Sequence, residues 1–169
     1  DQLQHTADLI AEQGGTAITI AADISTAVGT ESAKSAVEDQ LGAPHILVNA
    51  AGVFGPLETI AAGDPERWID TLAINTVGPY RMCRAFAAGM VAHGWGRIIN
   101  YSSAASLHPP GPLVSAYATS KVALNQLTRH LADELAGSGV TANVIHPGDV
   151  KTAMWADIRD EAGSLGPEG

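Results

Sequence analysis

Apolar residues follow two rhythms along this chain. Residues 2–13 are polar with Leu3, Leu9 and Ile10 on one side and stop at Gly14-Gly15, which predicts a helix with a glycine end. Residues 16–22 are short, apolar and β-rich, and predict a strand running into Asp23-Ile24-Ser25. Residues 26–41 predict a second helix, closed by Gly42 and Pro44. Ile46-Leu47-Val48 is a continuous apolar run between turn residues, as in a strand covered on both faces. A long helical stretch at 65–94 opens with Asp64 as cap and Pro65 as first helical residue. Asn75 and Gly78-Pro79 interrupt it, and a proline inside a helix kinks it. Residues 98–101 predict a third strand and residues 140–145 a fourth, with a helix between them through Leu124, Leu127, Leu131 and Leu135. Four strands alternating with helices predict an α/β doubly wound parallel sheet with helices on both faces.

Composition narrows the function classes. A chain of 169 residues suits one domain, residues 1–169, with a sizeable core. Its net charge of −9 argues against nucleic-acid binding, which needs a basic face. No apolar run approaches a membrane span, and the start carries no signal-peptide pattern, so a cytoplasmic protein is expected. The single Cys83 allows no internal disulfide framework, and its place in a helical run marks a small core residue rather than a nucleophile. No metal site is expected. Asn100-Tyr101-Ser102 matches a glycosylation sequon but falls in a strand expected to be buried.

The candidate chemistry lies between Arg97 and Lys121. Tyr117 and Lys121 stand one helical turn apart, on one face. An ammonium beside a phenol favours the phenolate. Bringing a phenol from about pH 10 to about pH 7 takes about 4 kcal/mol, of which one lysine supplies part and a second positive charge more. A tyrosine so tuned passes a proton to or from a hydroxyl or carbonyl oxygen. Taken alone, two common residues at this spacing also describe an ordinary amphipathic helix.

The neighbourhood decides between these readings. Asn49-Ala50-Ala51-Gly52 after an apolar strand, Asn75 in a helical run, Ser102-Ser103 before Tyr117-x-x-x-Lys121, and Asn143 through Thr152 after the helix resemble the motifs of the short-chain dehydrogenase/reductase family, in the family's order. The resemblance implies a Rossmann-like αβα fold. It also implies hydride transfer between a nicotinamide cofactor, NAD or NADP, and a small-molecule alcohol or ketone. Tyr117 is then the general acid/base, Lys121 its activator and the ribose ligand, Ser103 the hydroxyl that bonds the substrate oxygen, and Asn75 the support of a proton relay. It places Asp23 and Ile24 at the adenine, Asn49, Ala50, Ala51 and Gly52 against the nucleotide, and Pro147, Gly148, Val150 and Thr152 against the nicotinamide and pyrophosphate.

Plainer roles stay open. Asp23 suits a helix entry, Asn49 to Gly52 a turn, Asn75 a kink, and Thr152 a cap for the helix starting at Ala153. Two departures from the family pattern stand out: Ala50 replaces a usual asparagine, and Ser103 precedes Tyr117 by 14 residues, one more than usual, which the loop from His108 to Pro112 can absorb. Ser102 is therefore the competing hydroxyl.

The glycine-rich phosphate loop of the fold occurs nowhere in the chain. The chain is expected to be the middle of a family domain, without the first βαβ unit, the residue that selects NAD or NADP, the last strand and much of the substrate lid. The strand at 16–22 would then have an unpaired edge. A catalytically silent nucleotide sensor and an inactive fragment are the alternatives to an oxidoreductase. Apolar residues on more than one side of residues 77–92 and 116–135 also fit the helices through which family members pair, so a homodimer or homotetramer is expected.

Overall fold

The structure, a computed structural model, describes residues 2–148 and 150–164. Three parallel strands form its sheet in the order β1 (Ile46–Asn49), β2 (Gly96–Tyr101) and β3 (Val140–Ile145), with Leu47 opposite Ile98 and Ile98 opposite Ala142. Among the described residues six α-helices accompany them: α1 (Gln2–Glu12), α2 (Ala27–Leu41), α3 (Pro65–Leu72), α4 (Gly78–Ala92), α5 (Ser115–Glu134) and α6 (Ala153–Ser164). Local chemistry sets several of their ends. Thr26 caps α2 by accepting from Gly29 N, and Asp64 caps α3 by accepting from Glu66 N with Pro65 behind it.

The core lies between the sheet and the α4–α5 layer. Leu47, Ile98, Val140 and Ala142 of the strands meet Cys83, Phe86 and Met90 of α4, with Leu135 just past α5. Phe86, Met90 and Leu124 are thus core residues. Tyr80 and Val91 are the large apolar residues of α4 that face solvent, beside Arg84 and Ala88.

Two sequence expectations change. Residues 16–22 form no strand. A strand is held by the ladder of a neighbour, and β1 pairs with β2 alone. The described sheet therefore has three strands rather than four. The run Ile46-Leu47-Val48 is buried on one face only: Leu47 enters the core, whereas Ile46 and Val48 remain 56% and 49% exposed. Strand side chains alternate, and α4 and α5 supply the cover on the Leu47 side.

The interruption of the long helix is a π-turn at Ala73–Val77, with Gly78 N–H bonded to Ala73 O. Pro79 has no N–H for the carbonyl of Asn75 four residues earlier, so the ladder widens there instead of continuing. The wider turn aims Asn75 inward, where it is fully buried.

Candidate active site

The C-terminal ends of the strands and the first two turns of α5 enclose a cavity of about 540 Å³. A polar lattice ties the elements behind it. Asn49 at the end of β1 donates to Asn100 Oδ1 of β2 at 2.8 Å, and Asn100 Nδ2 donates to Thr128 Oγ1 of α5 at 2.8 Å. Asn49 therefore ties two strands through its amide and does not line the cavity. Asn100 is fully buried, so the sequon is closed to modification. Cys83 packs beneath, its thiol pushed up to about 11 by burial, which leaves no thiolate for nucleophilic work.

The segment after β1 has no strand partner there, and Asn75 takes that place. Its Oδ1 accepts from Val53 N at 2.8 Å, and its Nδ2 donates to Val53 O at 2.8 Å and to Ser120 Oγ at 3.0 Å. Gly52 is thereby drawn against the site: a Cβ there would lie 3.1 Å from Asn75 Oδ1 and 3.6 Å from Lys121 Nζ. Only glycine leaves the backbone open to a ligand at this point.

Tyr117 and Lys121 share one face of α5. Lys121 is 5% exposed, and its ammonium donates to the carbonyl of Tyr101 at 2.9 Å and lies 5.6 Å from the centroid of the Tyr117 ring. The Phe54 ring stacks on Tyr117 at 4.6 Å. Ser102 is buried with its hydroxyl on the carbonyl of Lys121 at 3.3 Å. Ser103 is less buried, and its hydroxyl accepts from Ala105 N at 3.2 Å. Both serines line the cavity.

One hydroxyl that the sequence did not single out joins these parts. Ser106 Oγ donates to Ser103 O at 2.6 Å, accepts from Asn125 Nδ2 at 2.8 Å and lies 3.4 Å from His146 Nε2. Asn125 is four residues beyond Lys121, on the same helical face. The serine loop, α5 and the loop after β3 are thus pinned together. Just after His108–Pro112, Leu113 adopts φ 61° and its carbonyl accepts from Glu58 N.

Ala50, Gly52, Pro147, Gly148, Val150 and Thr152 also line the cavity, so most of the expected cofactor residues converge there. Asp149 lies outside the described residues. Thr152 caps α6 as well, accepting from Trp155 N at 3.2 Å. Met154, Trp155 and Ile158 of α6 roof the cavity; the spacing of Met154 and Ile158 was their only sequence signal. Asp23, Ile24 and Ala51 are not part of the lining. Asp23 accepts from Ser25 Oγ at 2.7 Å and Ser25 N at 2.9 Å, which holds its carboxyl below the usual value. Ile24 packs on Gly78.

A family model described as short chain dehydrogenase matches residues 1–163. The chain belongs to the short-chain dehydrogenase family. Galactitol 2-dehydrogenase (L-tagatose-forming) of Cereibacter sphaeroides is 38% identical over 157 residues, which is 90% of this chain and 61% of that protein. L-sorbose reductase from Gluconobacter frateurii, complexed with NADPH and L-sorbose, superposes with a TM-score of 0.88 at 28% identity, over 99% of this chain and 64% of its own. Gluconate 5-dehydrogenase from Burkholderia cenocepacia J2315, in complex with NADP and tartrate, does so at 0.85 and 29%, over 94% and 62%. The Rossmann-like class of this family therefore holds for the chain. It spans 50–62% of the length of the first curated relatives it matches. No helix among the described residues is long and apolar enough to cross a membrane.

The buried lysine of this short-chain dehydrogenase has a measurable consequence. Burial lowers the Lys121 ammonium to about 8 from 10.5. Between these values the folded state holds fewer protons than the unfolded one, so this group adds stability as pH rises through that window. Below pH 8 both states are charged and the contribution is flat. In urea unfolding, wild type is expected to gain up to about 3 kcal/mol relative to Lys121→Met from pH 8 to 10.5. Cys83 acts with the opposite sign at higher pH but is common to both proteins, so it drops out of the difference. A difference that stays constant with pH would refute the assignment.

Proposed function

We propose that these residues carry the catalytic part of a nicotinamide-dependent dehydrogenase or reductase acting on a small hydroxyl or carbonyl compound, and that residues 1–169 are part of one Rossmann-like domain. The observation that carries this reading is the convergence of Tyr117, the buried Lys121 and two serine hydroxyls on one cavity beside a glycine that leaves backbone open. The intact Tyr117/Lys121 pair argues against a silent nucleotide sensor. NADPH and NADP in the two related structures support a nicotinamide cofactor, NAD or NADP. Bound at Ala50, Gly52, Lys121 and the Pro147–Thr152 loop, it supplies or takes the hydride.

Tyr117 gives a proton to the carbonyl oxygen in reduction and takes it from the hydroxyl in oxidation. Lys121 lends its charge to the phenolate and bonds the ribose. Ser103 holds the reacting oxygen; its partial exposure favours it over Ser102, whose hydroxyl is held by the helix. Asn75 fixes the Gly52–Val53 backbone and supports the proton relay through the carbonyl that Pro79 cannot bond. Asp23 and Ile24 meet the adenine from outside the cavity, and Asn49 and Ala51 hold the turn between them. The exposed groove on α4 and α5, lined by Tyr80, Arg84, Val91 and Leu127, serves pairing into a homodimer or homotetramer in the cytoplasm.

Isothermal titration of the full-length protein with each nicotinamide cofactor tests the reading. Micromolar binding of at least one is expected; binding of neither would sink it.

A further inference from the structure

We infer that Ser106 is a positioning residue for the reaction and that Asn125 of α5 holds it in place, so that the two together set the Ser103 hydroxyl at its distance from Tyr117. The inference rests on the oxidoreductase reading above and deepens it. Ser103 and Tyr117 both line the cavity. The Ser103 hydroxyl accepts from Ala105 N at 3.2 Å, and its own hydrogen is donated to none of the described residues. A free O–H serves a reacting oxygen only where its own oxygen is fixed. Ser103 caps the short 3₁₀ turn Ala104–Ser106, and that turn fixes it. The turn closes twice onto the Ser103 carbonyl, through Ser106 N at 3.0 Å and Ser106 Oγ at 2.6 Å.

A closed turn still needs an anchor to the helix that carries Tyr117. Ser106 Oγ has one hydrogen, and it goes to Ser103 O. The group 2.8 Å away on α5 must therefore donate, and Asn125 Nδ2 does. Tyr117, Lys121 and Asn125 follow at steps of four along α5, so this bond ties the serine turn to the face that bears the proton donor. Ser102, at 3.3 Å from the Lys121 carbonyl, is a longer tie to the same helix. His146 Nε2 approaches Ser106 Oγ from the exposed side, at 3.4 Å.

The other end of the Asn125 amide supports the assignment. Its Oδ1 is buried and has no hydrogen-bond partner among the described residues. An orphan acceptor costs stability, and an apolar side chain at this point of α5 would avoid it. Packing alone therefore does not account for an amide at position 125. The bond from its Nδ2 to Ser106 does.

The test uses the full-length protein. Its kcat is read with L-sorbose and reduced cofactor and with galactitol and oxidised cofactor, and the cofactor Kd by isothermal titration. Ser106→Ala and Asn125→Leu are each expected to lower kcat about ten- to a hundredfold, the scale that a misplacement of about 1 Å imposes on a reacting group, and to leave Kd unchanged. Ser106→Thr keeps the hydroxyl and is expected to restore kcat. In a Ser103→Ala background, Ser106→Ala is expected to cost nothing more, because it acts only through that hydroxyl. In a Ser102→Ala background its full effect is expected to persist. Crystal structures of wild type and Ser106→Ala give a readout apart from turnover: Ser103 Oγ is expected to shift by about 1 Å relative to Tyr117 Oη. If neither compound is turned over, this comparison decides alone. Unchanged kcat in Ser106→Ala, a loss that persists undiminished in the Ser103→Ala background, or an unmoved Ser103 hydroxyl in the crystal would overturn the positioning role while leaving the oxidoreductase reading standing. Full turnover by Ser103→Ala would instead remove that hydroxyl from the reaction, and the inference with it.

Discussion

Tyr117→Phe, made in the full-length protein, is expected to lower kcat by about 10²–10⁴-fold and to leave cofactor affinity nearly intact. The substitution removes one oxygen. The ring, its 4.6 Å stack on Phe54 and its place on α5 all remain, so positioning is preserved while the proton donor is lost. Lys121→Ala is the contrasting case. It deletes the ammonium beside the ring and, on the proposed reading, the ribose contact, so kcat and cofactor affinity should fall together. Ser103→Ala and Ser102→Ala separate the two hydroxyls: the first should depress kcat more, because the second hydroxyl is turned to the Lys121 carbonyl. Steady-state kinetics with a cofactor titration on each variant decides the matter. Near-full turnover by Tyr117→Phe would remove Tyr117 from the mechanism.

The 169-residue chain by itself is expected to bind no nicotinamide cofactor at micromolar concentration and to turn nothing over. Dinucleotide affinity in this fold rests on a glycine loop and the helix N-terminus behind it, which together receive the pyrophosphate. The sequence holds no such loop. Charge-assisted hydrogen bonds contribute roughly 1.5–3 kcal/mol each. Three of them missing amount to about 5 kcal/mol or more, over a thousandfold in affinity. On the proposed reading, the cavity residues that remain contact one end of such a ligand. Isothermal titration of this chain beside one carrying a glycine-loop βαβ unit in front of it makes the comparison, and micromolar binding by the chain alone would contradict the argument.

Some of this protein was legible in its sequence because the causes are local. Helical spacing alone places Tyr117 beside Lys121, and residue chemistry alone places the caps at Asp64 and Thr152. Other features depend on what distant segments supply. Residues 16–22 have the composition of a strand but no ladder partner, so propensity does not become pairing. Ile46 and Val48 read as doubly buried, but burial requires a covering element, and the α4–α5 layer covers only the other face. How Ser106 and Asn125 pin the serine loop to α5, and which residues of α6 roof the cavity, were settled by packing between segments up to about a hundred residues apart, from Phe54 to Trp155. Sequence spacing determines contacts within a turn of helix; contacts across the chain exist only once the backbone has closed on itself.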